Sequence, residues 1–113
     1  MKENFTIKEF AMQIELNGEQ RLITVRPQGE LDHHTAATVR EVVERELRRT
    51  GAIHIAFDFS QVTFMDSSGI GMIMGRYKTV HALGGDIILC GMNREIQRIV
   101  KMAGLEKITR IKQ

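Results

Sequence analysis

Phe64-Met65-Asp66-Ser67-Ser68-Gly69-Ile70-Gly71 decides how this chain folds, because a hydrophobic strand pattern stops there and a helix pattern starts. Upstream, Ile53, Ile55, Phe57 and Phe59 alternate with His54, Ala56 and Asp58. A period of two marks a strand with one buried face. Val62 and Phe64 then bring the chain back to the apolar side. Downstream, Ile70, Ile73, Met74, Tyr77 and Val80 recur at helical spacing, so a helix is expected from about Ser68 to Leu83. Gly71 and Gly75 share a face of that helix. Each costs about 1 kcal/mol of helix propensity against alanine, so close packing on a sheet is their expected purpose. The first turn of such a helix presents unpaired N–H groups and positive dipole, and Asp66 or Ser67 can cap it. A hydroxyl at this place is well set to carry a phosphate. Physics alone does not separate Ser67 from Ser68.

Working outward, Phe10, Met12, Ile14 and Leu16 alternate with polar or small residues as a half-buried strand. Asn17-Gly18 turns the chain, Leu22 to Arg26 returns it, and Pro27 ends that strand or sits at an edge. Gly29-Glu30-Leu31-Asp32 leads into a helix near His34 or Thr35. Its stripe is Ala36, Val39, Val43 and Leu47, its cap Asp32 or Thr35, and its end Thr50-Gly51. Beyond Gly84-Gly85, Asp86 to Cys90 is nearly continuous apolar sequence, expected of a strand covered on both faces. Asn93 caps a third helix with Ile96, Ile99, Val100 and Ala103 inward. Gly104-Leu105 closes it, and Lys107 to Ile111 forms a last strand. The order β-β-α-β-α-β-α-β predicts an α/β domain with a mixed, mostly parallel sheet and packed helices.

Composition narrows the function. The 113 residues form one domain, with 42% hydrophobic and 27% charged side chains and a formal charge of +2. No tryptophan and one tyrosine argue against a base-stacking surface, so no direct nucleic-acid partner is expected. Arg94, Arg98 and Lys101 read as a solvated helix edge, and Glu41/Arg45 and Glu44/Arg48 as i,i+4 pairs. Cys90, the sole cysteine, lies in an apolar run and reads as a buried, inert thiol. No stretch approaches the roughly 18 apolar residues of a membrane span, and a cytoplasmic location is expected.

Catalytic constellations are weak. In Asp32-His33-His34 the adjacent histidines point apart on entering a helix, a poor chelate, so no metal is expected. A triad of Ser67 with His33 or His81 and Asp32 or Asp58 lacks an oxyanion-hole motif. A nucleophile elbow needs glycine where Met65 stands. Gly69-Ile70-Gly71 has neither the third glycine of a dinucleotide site nor the lysine of a P-loop, so no cofactor is expected.

The segments Gly29 to Ala36, Phe64 to Gly71, Gly75-Arg76-Tyr77-Lys78, Gly84-Gly85 and Met102-Ala103-Gly104-Leu105 resemble the STAS superfamily. Within it they are most similar to the sporulation anti-sigma factor antagonists. The likeness runs from about Leu16 to Ile111, with residues 10–113 as a single STAS domain and residues 1–9 as an N-terminal extension. It implies a protein without catalysis of its own. The unphosphorylated form would bind an anti-sigma factor with serine kinase activity and release sigma. Phosphorylation on Ser67 would end that contact, and a serine phosphatase would restore it. The implied partner-binding residues are Asp32, His33, Asp66, Ser68, Gly69 and Ile70. Separately, Ile70 and Met72 read either as a small exposed docking patch or, equally well, as side chains that pack the helix onto the sheet. The same fold in a general-stress complex or a transporter, and a small serine- or metal-dependent hydrolase, are the competing readings.

Overall fold

The computed structural model describes residues 3–112. Its elements are β1 (Asn4–Glu9), β2 (Met12–Asn17), β3 (Leu22–Leu31), α1 (His33–Thr50), β4 (His54–Asp58), β5 (Gln61–Met65), α2 (Ser67–Ala82), β6 (Ile87–Cys90), α3 (Arg94–Met102), a 3-10 turn (Leu105–Lys107) and β7 (Arg110–Ile111). The strand order is β1-β2-β3-β4-β6-β7, with β5 paired to β3 off that path. β1/β2 and β2/β3 are antiparallel, and the remaining pairs are parallel. The mixed, mostly parallel α/β sheet is therefore as expected.

Two rows of apolar side chains hold the sheet together. Ile14, Val25, Phe57 and Leu89 stand in register across β2, β3, β4 and β6, and so do Leu16, Ile23, Ile55 and Ile87. All eight are buried. Each contributes roughly 1.5–3 kcal/mol through removal from water. Val39, Val43 and Leu47 of α1, Ile73 and Val80 of α2, and Ile96 and Val100 of α3 complete the same core. The helices cover one face only. On the other, Glu15, Thr24 and Ile88 of the row Glu15, Thr24, Ala56 and Ile88 are partly exposed and only the small Ala56 is buried, so β6 is not covered on both faces as its apolar run suggested.

Other expectations are corrected here. Phe10 is not a strand residue: it occupies the β1–β2 turn at φ 53 and is 81% exposed. Pro27 does not end β3. It falls between Val25, the last residue paired with β4, and Gln28, the first paired with β5, where the strand changes partner. Ala103 is exposed, whereas Ile96 and Val100 point inward. The ion pairs on α1 run elsewhere: Arg45 binds Glu9 and Glu46, and Arg49 binds Glu46. Glu44 pairs with Arg76 instead of Arg48.

These pairs fasten β1, which sequence reading did not recognise as a strand. Arg49 lies 4.6 Å over the Phe5 ring, Arg45 joins Glu9 to Glu46, and Glu46 is only 1% exposed. Burial alone would raise the Glu46 pKa, but hydrogen bonds from Arg49 and Arg45 outweigh it and hold the carboxyl below its ordinary value of 4.5. Asp58 is likewise held low: burial opposes ionisation, while Ser60 and Arg26 favour it. A carboxyl with a depressed folded-state pKa stabilises the fold above its unfolded value, and that contribution fades as pH falls through the folded one. Urea denaturation should therefore show stability declining as pH falls below about 4.5. Glu46→Gln should lose about 1–2 kcal/mol at neutral pH and show a shallower acid decline.

Gly85 carries the tightest approach in the fold, since a Cβ there would lie 1.6 Å from the Ile53 carbonyl oxygen. Gly85→Ala should shift the urea midpoint by the equivalent of about 2–4 kcal/mol.

Candidate functional site

β3 and β5 end side by side. Leu31 is paired with Met65, both are buried, and each is followed at once by an aspartate that caps a helix. Asp32 Oδ1 accepts from the Thr35 backbone N–H at 3.0 Å, and Asp66 Oδ1 accepts from the Ser68 N–H at 2.8 Å. Both aspartates have extended backbone, as N-caps do. Neighbouring strands are about 4.8 Å apart, so two β-to-α junctions lie next to one another. The hydrogen bonds from the Thr35 backbone and side chain hold the Asp32 carboxyl below its usual range, with the neighbouring His34 adding to the effect.

Of the residues singled out in the sequence, Asp32, His33, Asp66, Ser67 and Ser68 come together on these two junctions. Ser67 is the first residue of α2 and is exposed. Ser68 is half-buried and faces the groove between α1 and α2, which His33 also lines. Cap assignment is thereby settled as Asp32 and Asp66, leaving the Ser67 hydroxyl uninvolved in capping.

Gly69 and Ile70 lie differently. Both are buried, Ile70 at 9% exposure. A Cβ on Gly69 would stand 2.4 Å from Met65 Cγ and 3.3 Å from Leu31 Cδ2, so Gly69 lets α2 begin hard against the two strand ends. Close packing, expected of Gly71 and Gly75, belongs to Gly69: a Cβ on either of the other two would meet nothing within 4 Å. Met72 is 5% exposed, so of the two readings of Ile70 and Met72 the packed one holds and no surface patch forms there. Phe64, at 47% exposure, is the large apolar side chain exposed beside the junction, although alternation placed it on the apolar side. The cause is a register shift: Gly29 pairs with Val62 but Glu30 with Phe64, so the extra residue Thr63 breaks the alternation, and Val62 and Met65 are buried while Phe64 is exposed.

The hydrolase triad is not assembled: Asp32 Oδ1 accepts from the Thr35 N–H, and among the described residues no hydrogen bond joins Ser67, His33 and Asp32. His81 is at the far end of α2, about 21 Å along the axis from Ser67, and stacks on Tyr77 at 5.1 Å. Asp58 pairs with Arg26 at 2.9 Å. Among the described residues no three His, Cys, Asp or Glu side chains converge as a metal site, and no helix is long and apolar enough to cross a membrane. Burial, aided by the Asp58 charge, pushes the Cys90 thiol pKa up, and its Sγ lies 3.6 Å from the Phe57 carbonyl oxygen. The thiolate is disfavoured there.

Comparison with known proteins follows the same lines. The STAS domain family matches residues 13–113. The chain is 40% identical over 97 residues to the anti-sigma F factor antagonist of Paenibacillus polymyxa, covering 86% of this chain and 83% of that protein. It is 31% identical over 84 residues to the anti-sigma-B factor antagonist of Listeria monocytogenes, covering 74% and 73%. The fold matches SpoIIAA in two states. Its unphosphorylated form superposes with a TM-score of 0.74 at 25% identity, covering 91% of this chain and 88% of that one. The phosphorylated form of the Bacillus protein superposes with a TM-score of 0.72 at 27% identity, covering 91% and 92%.

Loss of the Asp66 cap should cost about 1 kcal/mol, so Asp66→Ala should lower the urea midpoint accordingly. Gly69→Ala should cost more, about 1–3 kcal/mol, because Met65 has to move within a packed core.

Proposed function

The chain belongs to the STAS domain family, and from that membership we propose that it is an anti-sigma factor antagonist switched by phosphorylation of Ser67. In this reading the unphosphorylated chain docks on an anti-sigma factor that is also a serine kinase, and sigma is set free. ATP-dependent transfer to Ser67 separates the two, and a serine phosphatase resets the cycle. The chain contributes recognition and a phosphoacceptor, with no catalysis of its own. A sporulation circuit is the first choice, supported by the 40% identity to the Paenibacillus polymyxa anti-sigma F antagonist. A general-stress circuit of the same design is the second, supported by the Listeria anti-sigma-B antagonist. Residues 1–9, which include β1, are an addition to the domain.

The observation that carries the proposal is the contrast between Ser67 and its neighbours. Its hydroxyl is exposed at the start of α2, while Asp66 has already taken the Ser68 N–H and the backbone N–H of Gly69 bonds to the Asp66 carbonyl at 3.1 Å. Phosphate would add about −1.5 to −2 charge beside Asp66 and Asp32. The helix dipole tolerates that charge in water, so the fold is retained. A docked partner has to desolvate it, and leaving a buried charge uncompensated costs several kcal/mol. Every 1.4 kcal/mol is tenfold in affinity. The match of both SpoIIAA forms to this chain with similar TM-scores supports a local switch over a refolding one. Asp32 and His33, on the adjoining junction, extend the docking face, with Ser68 at its border and Gly69 and Ile70 supporting it from beneath.

Incubation with the cognate kinase and ATP, followed by mass spectrometry, should place the phosphate on Ser67. Ser67→Ala should bind the kinase but resist modification, and Ser67→Asp should bind at least tenfold more weakly in calorimetry. Phosphate on another residue, or equal affinity of the two variants, would overturn the proposal.

A further inference from the structure

Gly71 and Gly75 face open space, and the reason lies between the two helices. α1 and α2 enclose a groove of about 340 Å³ running away from Ser68 and His33, with Gly71 and Gly75 on its α2 side and Arg40 on its α1 side. Arg76 lines it too, although its side chain is 9% exposed. Its Nε pairs with Glu44 Oε1 at 2.9 Å, but its buried Nη1 has no hydrogen-bond acceptor among the described residues. Glu44 Oε1 is shared, since it also accepts from Thr79 Oγ1 at 3.0 Å. Burying a guanidinium without satisfying its donors is costly. Arg40 adds a second positive charge nearby, which, with burial, works against the ionised form of Arg76. Two guanidinium groups against one carboxylate leave the groove one positive charge in excess.

We propose that this groove receives one acidic side chain, an aspartate or glutamate, from the docked partner. Three observations favour this occupant. The single excess charge suits one carboxylate better than a dianion. Ala36, Ala37 and the two bare glycines form a small apolar lining that fits a methylene stem. The groove also opens onto Ser68 and His33, which border the docking face described above, and the inference rests on that reading. The glycines then have a purpose that helix–sheet packing does not supply: any larger side chain at position 71 or 75 would fill the channel leading to Arg76.

The test uses the intact chain and its cognate anti-sigma partner. Calorimetry would compare wild type, Arg40→Gln, Arg76→Met, Gly71→Leu and Ser67→Asp, with thermal melts to verify folding. Arg40→Gln, on the exposed rim, keeps the test decisive if Arg76→Met fails to fold. Weakening of at least fivefold by Arg40→Gln and Gly71→Leu, diminished at high salt for Arg40→Gln, is the expected result. In parallel, butyrate, a single carboxylate on a short apolar stem, titrated at constant ionic strength should move the Gly71 and Gly75 amide resonances, and Arg76→Met should abolish the response. If Ser67→Asp weakens the complex but the groove variants bind like wild type, the groove proposal fails and the docking reading stands. If Ser67→Asp also binds like wild type, the docking reading fails by itself, and the acidic side chain loses its source. Resonances that answer inorganic phosphate but not butyrate would overturn a carboxylate as occupant.

Discussion

The in-register parallel pairing of Leu31 with Met65 is the constraint on which the site depends. Two strands that end together deliver two aspartates to the same level, and each caps a helix. That coincidence places Asp32, His33, Asp66 and Ser67 on adjoining junctions. Shift the β3/β5 register by one residue, and side chains would change faces, so Asp32 and Ser67 would no longer share a surface. The pairing is secured by burial: Leu31 and Met65 are almost without exposure, and Gly69 leaves room for Met65 beneath the first turn of α2.

Charge is distributed with the same economy. Acidic groups stand at the junction, where Asp32 and Asp66 are both engaged in capping. Cationic groups lie along the α1–α2 groove and at the far end of α1, where Arg45 and Arg49 are tied to Glu46 and hold β1. The phosphate proposed for Ser67 would add negative charge to an already acidic face, away from the ion pairs that stabilise the fold.

Much of this was legible beforehand because local chemistry and tertiary environment agree. Asp32, Asp66 and Asn93 cap helices, Gly51 and Gly104 adopt left-handed conformations after helices, and the alternation of Ile53 to Phe59 becomes a strand with its apolar side in the core. The parts that were not legible depend on partners distant in sequence. β1 has too few apolar residues to announce itself and is secured by Arg45 and Arg49 from α1. Pro27 looked like a strand end because its tolerance arises only where β3 exchanges one neighbour for another. The spacing of Gly71 and Gly75 was visible, but whether their open side met a sheet or a groove depended on where α1 packs. Ile70 shows the same limit: its proximity to Ser67 in sequence says nothing of the inward direction its helical position imposes.

β3 belongs to two pairings, joined by an irregularity between Gly29, at φ 81, and Glu30. Its first half is laced into the main sheet, while its second half meets only β5 on that side. That register shift, with Thr63 of β5 as the extra residue, is a joint between the frame of the main sheet and the head that carries Asp32 and Ser67. Substitutions in the frame can then accumulate, altering thermal resistance, without re-aiming the head; and the head can diverge toward a new client without the frame being rebuilt. A lineage carrying several such proteins, each answering a different regulator, could arise from duplication and drift on one side of that joint.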